Sequence, residues 1–247
     1  MKVYDTLIIG SGYSSVGYAV ENGSTLICEE HQICDTHFYL PLRAFAYKPY
    51  APTTATGAKM LEIFDSLGLF EGNMQNTNAF ECAFSKYVFE SDVSLLLKCR
   101  VVRVNTGADG VMDVTLHTNE GLTHVYTKKI VDTTNESADK FVTVLFVTDN
   151  IDEAACAISE AFEGGKIEPA FFEGRYALHL PTHGVDENSI KLDIYERWKT
   201  LDTDAKILYI APIFYSEEGK RGLCDDNYSN PVEAFEAGML YAREGKI

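Results

Sequence analysis

With 46% hydrophobic and 12% aromatic residues, a chain of 247 residues has the material for a sizeable core, which excludes a disordered polypeptide. Its 37 acidic residues outnumber 21 basic ones, for a formal charge of -16. A surface that negative repels phosphate backbones and anionic headgroups, so no nucleic acid and no membrane is expected as a partner.

Tyr4–Ile9 reads as a short buried strand ended by Gly10-Ser11-Gly12. A helix follows from about Tyr13 to Glu21, closed by Asn22 and by Gly23 as a left-handed stop. Thr25–Cys28 is a second apolar strand, ending in Glu29-Glu30. Beyond the aromatic-rich stretch Phe38–Pro52, helices are expected over Ala58–Leu67, stopped by Gly68, and over Phe80–Phe89, with a buried strand at Val93–Leu97. Arg100–Asn105, Val111–Thr118 and Thr123–Thr127 are strands separated by Gly107-Ala108-Asp109-Gly110 and Asn119-Glu120-Gly121, turn chemistry suited to a three-stranded meander. Lys129–Asp132 is one more short strand. From Phe141 the pattern changes: a strand to Val147, a helix over Ile151–Phe162, an alternating strand over Arg175–Leu180 and a helix over Asp186–Lys199. These form a small α+β lobe, inserted over residues 141–204 into a domain made of 1–140 and 205–247. Ile207–Ile210 returns as a buried central strand, and a last helix runs from Pro231 to about Arg243.

No apolar run approaches the length of a bilayer span, and Tyr4–Gly10 is too short for a signal peptide. The six cysteines (Cys28, Cys34, Cys82, Cys99, Cys156, Cys224) show no short paired spacing, which suits reduced thiols in a cytoplasmic protein.

The order strand, glycine turn, helix, strand, acid is that of a dinucleotide-binding βαβ unit. A phosphate-binding turn needs one glycine for its left-handed bend and a second where the pyrophosphate touches the backbone. The helix behind it then offers unpaired N–H groups and a partial positive charge. Gly10, Ser11 and Gly12 form the turn; Tyr13, Ser14 and Ser15 form the helix start, Ser15 standing where a third glycine is usual. Gly17 and Ala19 are small enough to face the sheet. Glu29 or Glu30 supplies the carboxylate for the adenosine ribose, and an acid there disfavours the 2′-phosphate of NADP.

Tyr4-Asp5-Thr6-Leu7-Ile8-Ile9-Gly10-Ser11-Gly12 resembles the opening of the FAD-dependent oxidoreductases of the glutathione-reductase-like type, which carry two dinucleotide-binding domains. Val93–Val104 is similar to the segment where that family lays a main-chain contact on the adenine, here through Val102. Lys129–Asn135 resembles its "hydrophobic-hydrophobic-Asp-Ala-Thr-Gly" strand end, with Thr133 for the alanine, Thr134 in register and Asn135 for the last glycine. Asp226 and the stretch Asn230–Gly238 look like its final motif, an acid before a helix whose start, Asn230-Pro231-Val232, points at the flavin side. That start is also good local chemistry: Asn230 as cap, Pro231 in the first position, Glu233 reaching back. The resemblance spans roughly residues 1–35, 80–135 and 205–247 and leaves the middle lobe unmatched.

The resemblance implies an α/β fold: an FAD/NAD(P)-binding Rossmann-like domain with a mostly parallel sheet, a three-stranded β-meander and the inserted α+β lobe. It implies FAD as cofactor and hydride transfer to or from flavin N5 of a small-molecule substrate. A degenerate, non-catalytic nucleotide-binding protein of the same fold is the alternative. With no second glycine fingerprint, a built-in NAD site is not expected. Catalytic residues stay open. Cys34 near His37 is a redox or nucleophilic pair, or a buried thiol; His31 beside them completes no metal site, and none is expected. Arg43 and Lys48 face a flavin or an anionic substrate, or snorkel over aromatic rings. His179 and His183 are acid/base candidates, or half-exposed strand histidines, and Trp198 packs its helix. The sequence specifies no oligomeric state.

Overall fold

The computed structural model describes residues 2–30, 49–71, 74–133, 141–170, 172–183, 185–210, 223, 228 and 230–244. The chain opens with β1 (Val3–Tyr4) and β2 (Thr6–Ile9), turns into α1 (Tyr13–Glu21) and returns as β3 (Thr25–Glu29). Next come α2 (Ala55–Ser66), a hairpin of β4 (Phe70–Glu71) and β5 (Met74–Gln75), and α3 (Thr77–Phe89). β6 (Ser94–Leu97), β7 (Arg100–Thr106), β8 (Met112–Thr118), β9 (Gly121–Thr127) and β10 (Ile130–Asp132) follow. Then β11 (Phe141–Val147), α4 (Ile151–Ala161), β12 (Lys166–Pro169), β13 (Arg175–Pro181), α5 (Glu187–Trp198) and β14 (Lys206–Ile210) precede α6 (Pro231–Glu244).

β10, β2, β3 and β6 form a parallel sheet in that order. Its residues alternate between two cores, as strand geometry requires. Ile8, Ile27 and Val131 pack under α1, α2, α3 and α6, against Val16, Phe64, Phe84 and Phe235. Leu7, Leu26 and Cys28 point the other way, onto Val114 and Leu116 of the meander. Burying each such aliphatic side chain contributes about 1.5–3 kcal/mol. The meander β9-β8-β7 is antiparallel, and β1 extends it by a short parallel pairing to β9.

α1 and α6 meet backbone to backbone. Gly17 of α1 lies against the carbonyl of Phe235, and Gly238 of α6 against that of Ser14. Further along, Arg243 bonds Glu21 at 2.8 Å, so the two helices run side by side with their N-termini at one end. Gly17 therefore serves the helix pair, not the sheet contact expected of it. Gly23 also differs from expectation: α1 ends through a bond from the Asn22 N–H to the Tyr18 carbonyl, and Gly23 has no left-handed φ. Gly68, with φ +63, does stop α2 in the left-handed conformation.

A second sheet, β12-β13-β11-β14, is antiparallel throughout. α4 and α5 cover one face, with Val144, Phe146, Leu178, Ile194 and Trp198 in the shared core. Here the expectation for 207–210 is corrected. β14 pairs antiparallel with β11, Leu145 opposite Tyr209, and does not join the parallel sheet. Ile207 and Ile210 pack with the α4/α5 core, a destination that a short apolar run does not itself encode. Trp198 is packing, as expected: its ring meets Phe146 at 5.4 Å, and its Nε1 donates to the Ala205 carbonyl.

Candidate functional site

The carboxyl end of the parallel sheet gathers the residues singled out in the glycine turn, the second strand and the last helix. Gly10 takes φ +101, a conformation costly for any side chain, and its N–H bonds the Cys28 carbonyl of β3 at 2.9 Å. Gly12 is the N-cap of α1 and has no side chain to offer its first turn. Tyr13 sends its ring into the core, 4.0 Å from Phe84 and edge-on to Phe64, so only its backbone belongs to the turn. Ser14 and Ser15 are buried.

The two candidate acids separate clearly. Glu29 is 9% exposed, and its Oε2 accepts from both the N–H and the hydroxyl of Ser11, at 2.9 and 3.0 Å. It staples the glycine turn to the end of β3. Glu30 faces outward and sits 3.9 Å from Arg100, an exposed pair of little energetic weight.

Ser15 and Thr133, two of the departures from the family pattern, contact each other through hydroxyls 3.2 Å apart. Thr133 also donates to the Ile9 carbonyl through both its N–H (3.0 Å) and its hydroxyl (2.7 Å). The hydroxymethyl group that serine adds at position 15 thus meets the hydroxyl that threonine, unlike alanine, carries at 133. Val102 occupies a register shift in β7, between Val101 and Arg103, and is 52% exposed. Asn230 is buried and caps α6, its Oδ1 accepting from the Val232 N–H at 2.8 Å, with Pro231 and Val232 buried behind it. Thr134 and Asp226 lie outside the described residues, as do His31, Cys34, His37, Arg43 and Lys48.

One charged group here was not anticipated. Glu236, on the buried side of α6, is 5% exposed and accepts from Tyr50, Thr53 and Thr54. The donors are the Tyr50 hydroxyl (2.7 Å), the Thr53 N–H (2.8 Å) and hydroxyl (2.7 Å), and the Thr54 N–H (2.7 Å) and hydroxyl (2.6 Å). Burial alone would raise this carboxyl, but the bonds from Thr54, Thr53 and Tyr50 outweigh it and hold it below its ordinary value. Burial and the same carboxylate push the Tyr50 phenol up to about 12, which keeps it a donor. The signal in the sequence was an acid set among Val232, Phe235 and Met239 on the apolar face of a helix.

The two candidate histidines stand on different faces of the second sheet. His179 is 3% exposed, not half-exposed, and shares a 2.8 Å hydrogen bond between its Nδ1 and the Thr143 hydroxyl. Burial, with Lys166 nearby, pushes it down to about 3, so it is neutral near pH 7 and is no proton donor of the imidazolium kind there. His183 is exposed beyond the end of β13, with φ +49. It lines a cleft of about 440 Å³ on the helix side, with Phe162, Leu180, Ile190 and Arg197. Among the described residues, no helix is long and apolar enough to cross a membrane, and no group of three or more metal-ligating side chains gathers.

No family model matches the sequence, and no curated protein matches it. Solved structures do match the fold. The p-nitrophenol 4-monooxygenase PnpA of Pseudomonas putida superposes with a TM-score of 0.56 at 12% identity, over 100% of this chain and 82% of that one. A geranylgeranyl bacteriochlorophyll reductase-like protein of Thermoplasma acidophilum gives 0.57 at 11% identity, over 98% and 78%. The flavin-dependent monooxygenase PieE, solved with FAD and substrate, gives 0.50 at 12% identity over 87% of this chain, which spans about half (49%) of PieE. The chain therefore has the α/β, Rossmann-like fold of flavoproteins. The likeness is to monooxygenases and a reductase-like protein, and it does not single out the glutathione-reductase-like type.

Proposed function

We propose that this chain is an FAD-dependent oxidoreductase acting on a small-molecule substrate, a relative of the glutathione-reductase-like enzymes. One observation carries the reading: a left-handed Gly10 turn at the head of α1 is tied through Ser11 to a buried acid, Glu29, at the end of the adjacent parallel strand. That is the equipment for a pyrophosphate beside a ribose.

In this reading the N–H groups of residues 12–15 and the positive end of α1 bind the pyrophosphate. Glu29, held in place by Ser11, accepts from the ribose hydroxyls, and Glu30 is left to the surface. The Val102 main chain, released from register, meets the adenine. Thr133 lines the strand end, while the capped start of α6 at Asn230, Pro231 and Val232 faces the flavin side. When bound, FAD supplies two-electron redox chemistry by hydride transfer at N5. The protein's share is orientation and charge. The second sheet and its helices form the inserted substrate lobe, and the free thiols of Cys28, Cys82, Cys99 and Cys156 fit a cytoplasmic location.

The visible absorption spectrum, before and after reconstitution with FAD, tests the reading. Flavin bands, with FAD and not FMN released on denaturation, support it; no bound flavin after reconstitution overturns it and leaves a degenerate nucleotide-binding fold. Gly12→Glu puts a charge into the turn, and unchanged flavin content in that variant removes the assignment of the turn.

A further inference from the structure

Cys28 and Cys99 lie 71 positions apart, yet both are buried in the small core between the parallel sheet and the meander, at 1% and 3% exposure. Two backbone features bring them together. Lys98, a non-glycine residue at φ +55, reverses the chain between β6 and β7. Cys99 then sends its N–H to the Glu29 carbonyl at 3.0 Å, one residue from Cys28. The left-handed conformation is unfavourable for a residue that carries a Cβ, and such strain persists where the surroundings require it.

We propose that Cys28 and Cys99 are an oxidisable thiol pair, which a peroxide converts to a disulfide directly beneath Glu29. The Cys99 thiol donates to the Leu96 carbonyl at 3.1 Å, and both thiols sit in the same small core. The neighbouring Cys99 and burial push Cys28 up, while Cys28 draws Cys99 down, so Cys99 is taken as the attacking sulfur. Its sulfur forms an S–O bond as the peroxide O–O bond breaks; the departing hydroxide takes a proton and leaves as water, giving a sulfenic acid. Cys28 sulfur then attacks Cys99 sulfur, the S–O bond breaks, and the second hydroxide leaves as water with the Cys28 proton. Two thiols are oxidised by two electrons, and one hydrogen peroxide is reduced to two waters. Closing the sulfurs to about 2.05 Å ties the end of β3 to the start of β7. The inference stands on the thiols alone, so its test is independent of whether flavin binds.

The reduced full-length protein is treated with hydrogen peroxide, quenched and alkylated under denaturing conditions, then digested without reductant for mass spectrometry. A Cys28–Cys99 linked peptide, two hydrogens lighter than its parts, is expected, and it is absent from Cys99→Ser with Cys28 still alkylated. The exposed Cys82 and Cys156 report that oxidant was sufficient. If these oxidise while Cys28 and Cys99 are each recovered singly alkylated, or only as sulfinic and sulfonic acids, the proposal fails.

Discussion

Gly17 and Phe235 are in backbone contact: a Cβ on residue 17 would stand 1.9 Å from the Phe235 carbonyl oxygen. Gly238 repeats the relationship in reverse, with its Cβ 1.9 Å from the Ser14 oxygen. Together they let the helix behind the glycine turn lie flat on α6, which carries the Asn230 cap.

Gly17→Ala or Gly238→Ala forces the helices apart. The clash is with backbone, which cannot rotate away, so each substitution is expected to cost about 3 kcal/mol. For a chain of this size that lowers Tm by roughly 6–12 °C, measurable by thermal unfolding followed by circular dichroism. An unchanged Tm would mean that the helices do not pack this closely.

Glu29 and Glu30 give opposite forecasts. Glu29→Ala removes the acceptor of two Ser11 donors and the proposed ribose contact. At about 1.5–3 kcal/mol for hydrogen bonds to a charged group, FAD affinity should fall roughly 10- to 150-fold. Glu30→Ala removes an exposed pair and should leave affinity within about twofold. Fluorescence titration of apoprotein with FAD distinguishes them, and equal losses would refute the assignment.

The Glu236 carboxyl sets an acid limit on stability. Its folded-state pKa lies below the ordinary 4.5 of an unfolded glutamate. Its contribution is therefore complete above that value and is lost as pH falls through it toward the folded-state value. Glu236→Gln should lower stability by about 3 kcal/mol at pH 7, because charge-assisted bonds from Tyr50, Thr53 and Thr54 become neutral ones. The gap between wild type and variant should shrink below pH 4.5 in urea titrations at stepped pH. A gap that stays constant would show that the carboxylate is not held this way.

His179 acts earlier in the same acidification. Its folded pKa of about 3 lies below the unfolded 6.5, so the unfolded chain takes up a proton first and stability falls as pH drops from 6.5. His179→Asn keeps an acceptor near Thr143 but does not titrate. The variant should lose the part of the pH slope between about 6.5 and Glu236's range; an unaltered slope would place the titration elsewhere.

What could be read from residues alone follows the range of the interactions involved. The glycine turn, the apolar strands and the Asn230-Pro231 helix start are local patterns, and each element formed within a few residues of its expected bounds. Gly23 failed because Asn22 could end α1 with its own N–H, an alternative that the same dipeptide permits. β14 failed because pairing partners are chosen by the packing of Ile207 and Ile210. The Ser15–Thr133 contact spans 118 positions and the Thr53–Glu236 contact 183, and nothing local in either residue announces the other.

The alliance of α1 with α6 also bears on how the protein is made. The Glu21–Arg243 contact joins residues 222 apart. At synthesis rates of roughly 5–20 residues per second, α1 waits on the order of 10–45 s for the surface that covers it. During that interval Gly17 presents bare backbone and Val16 and Ala19 lack part of their cover, so the nascent chain carries an unfinished helix pair that a chaperone has reason to shield.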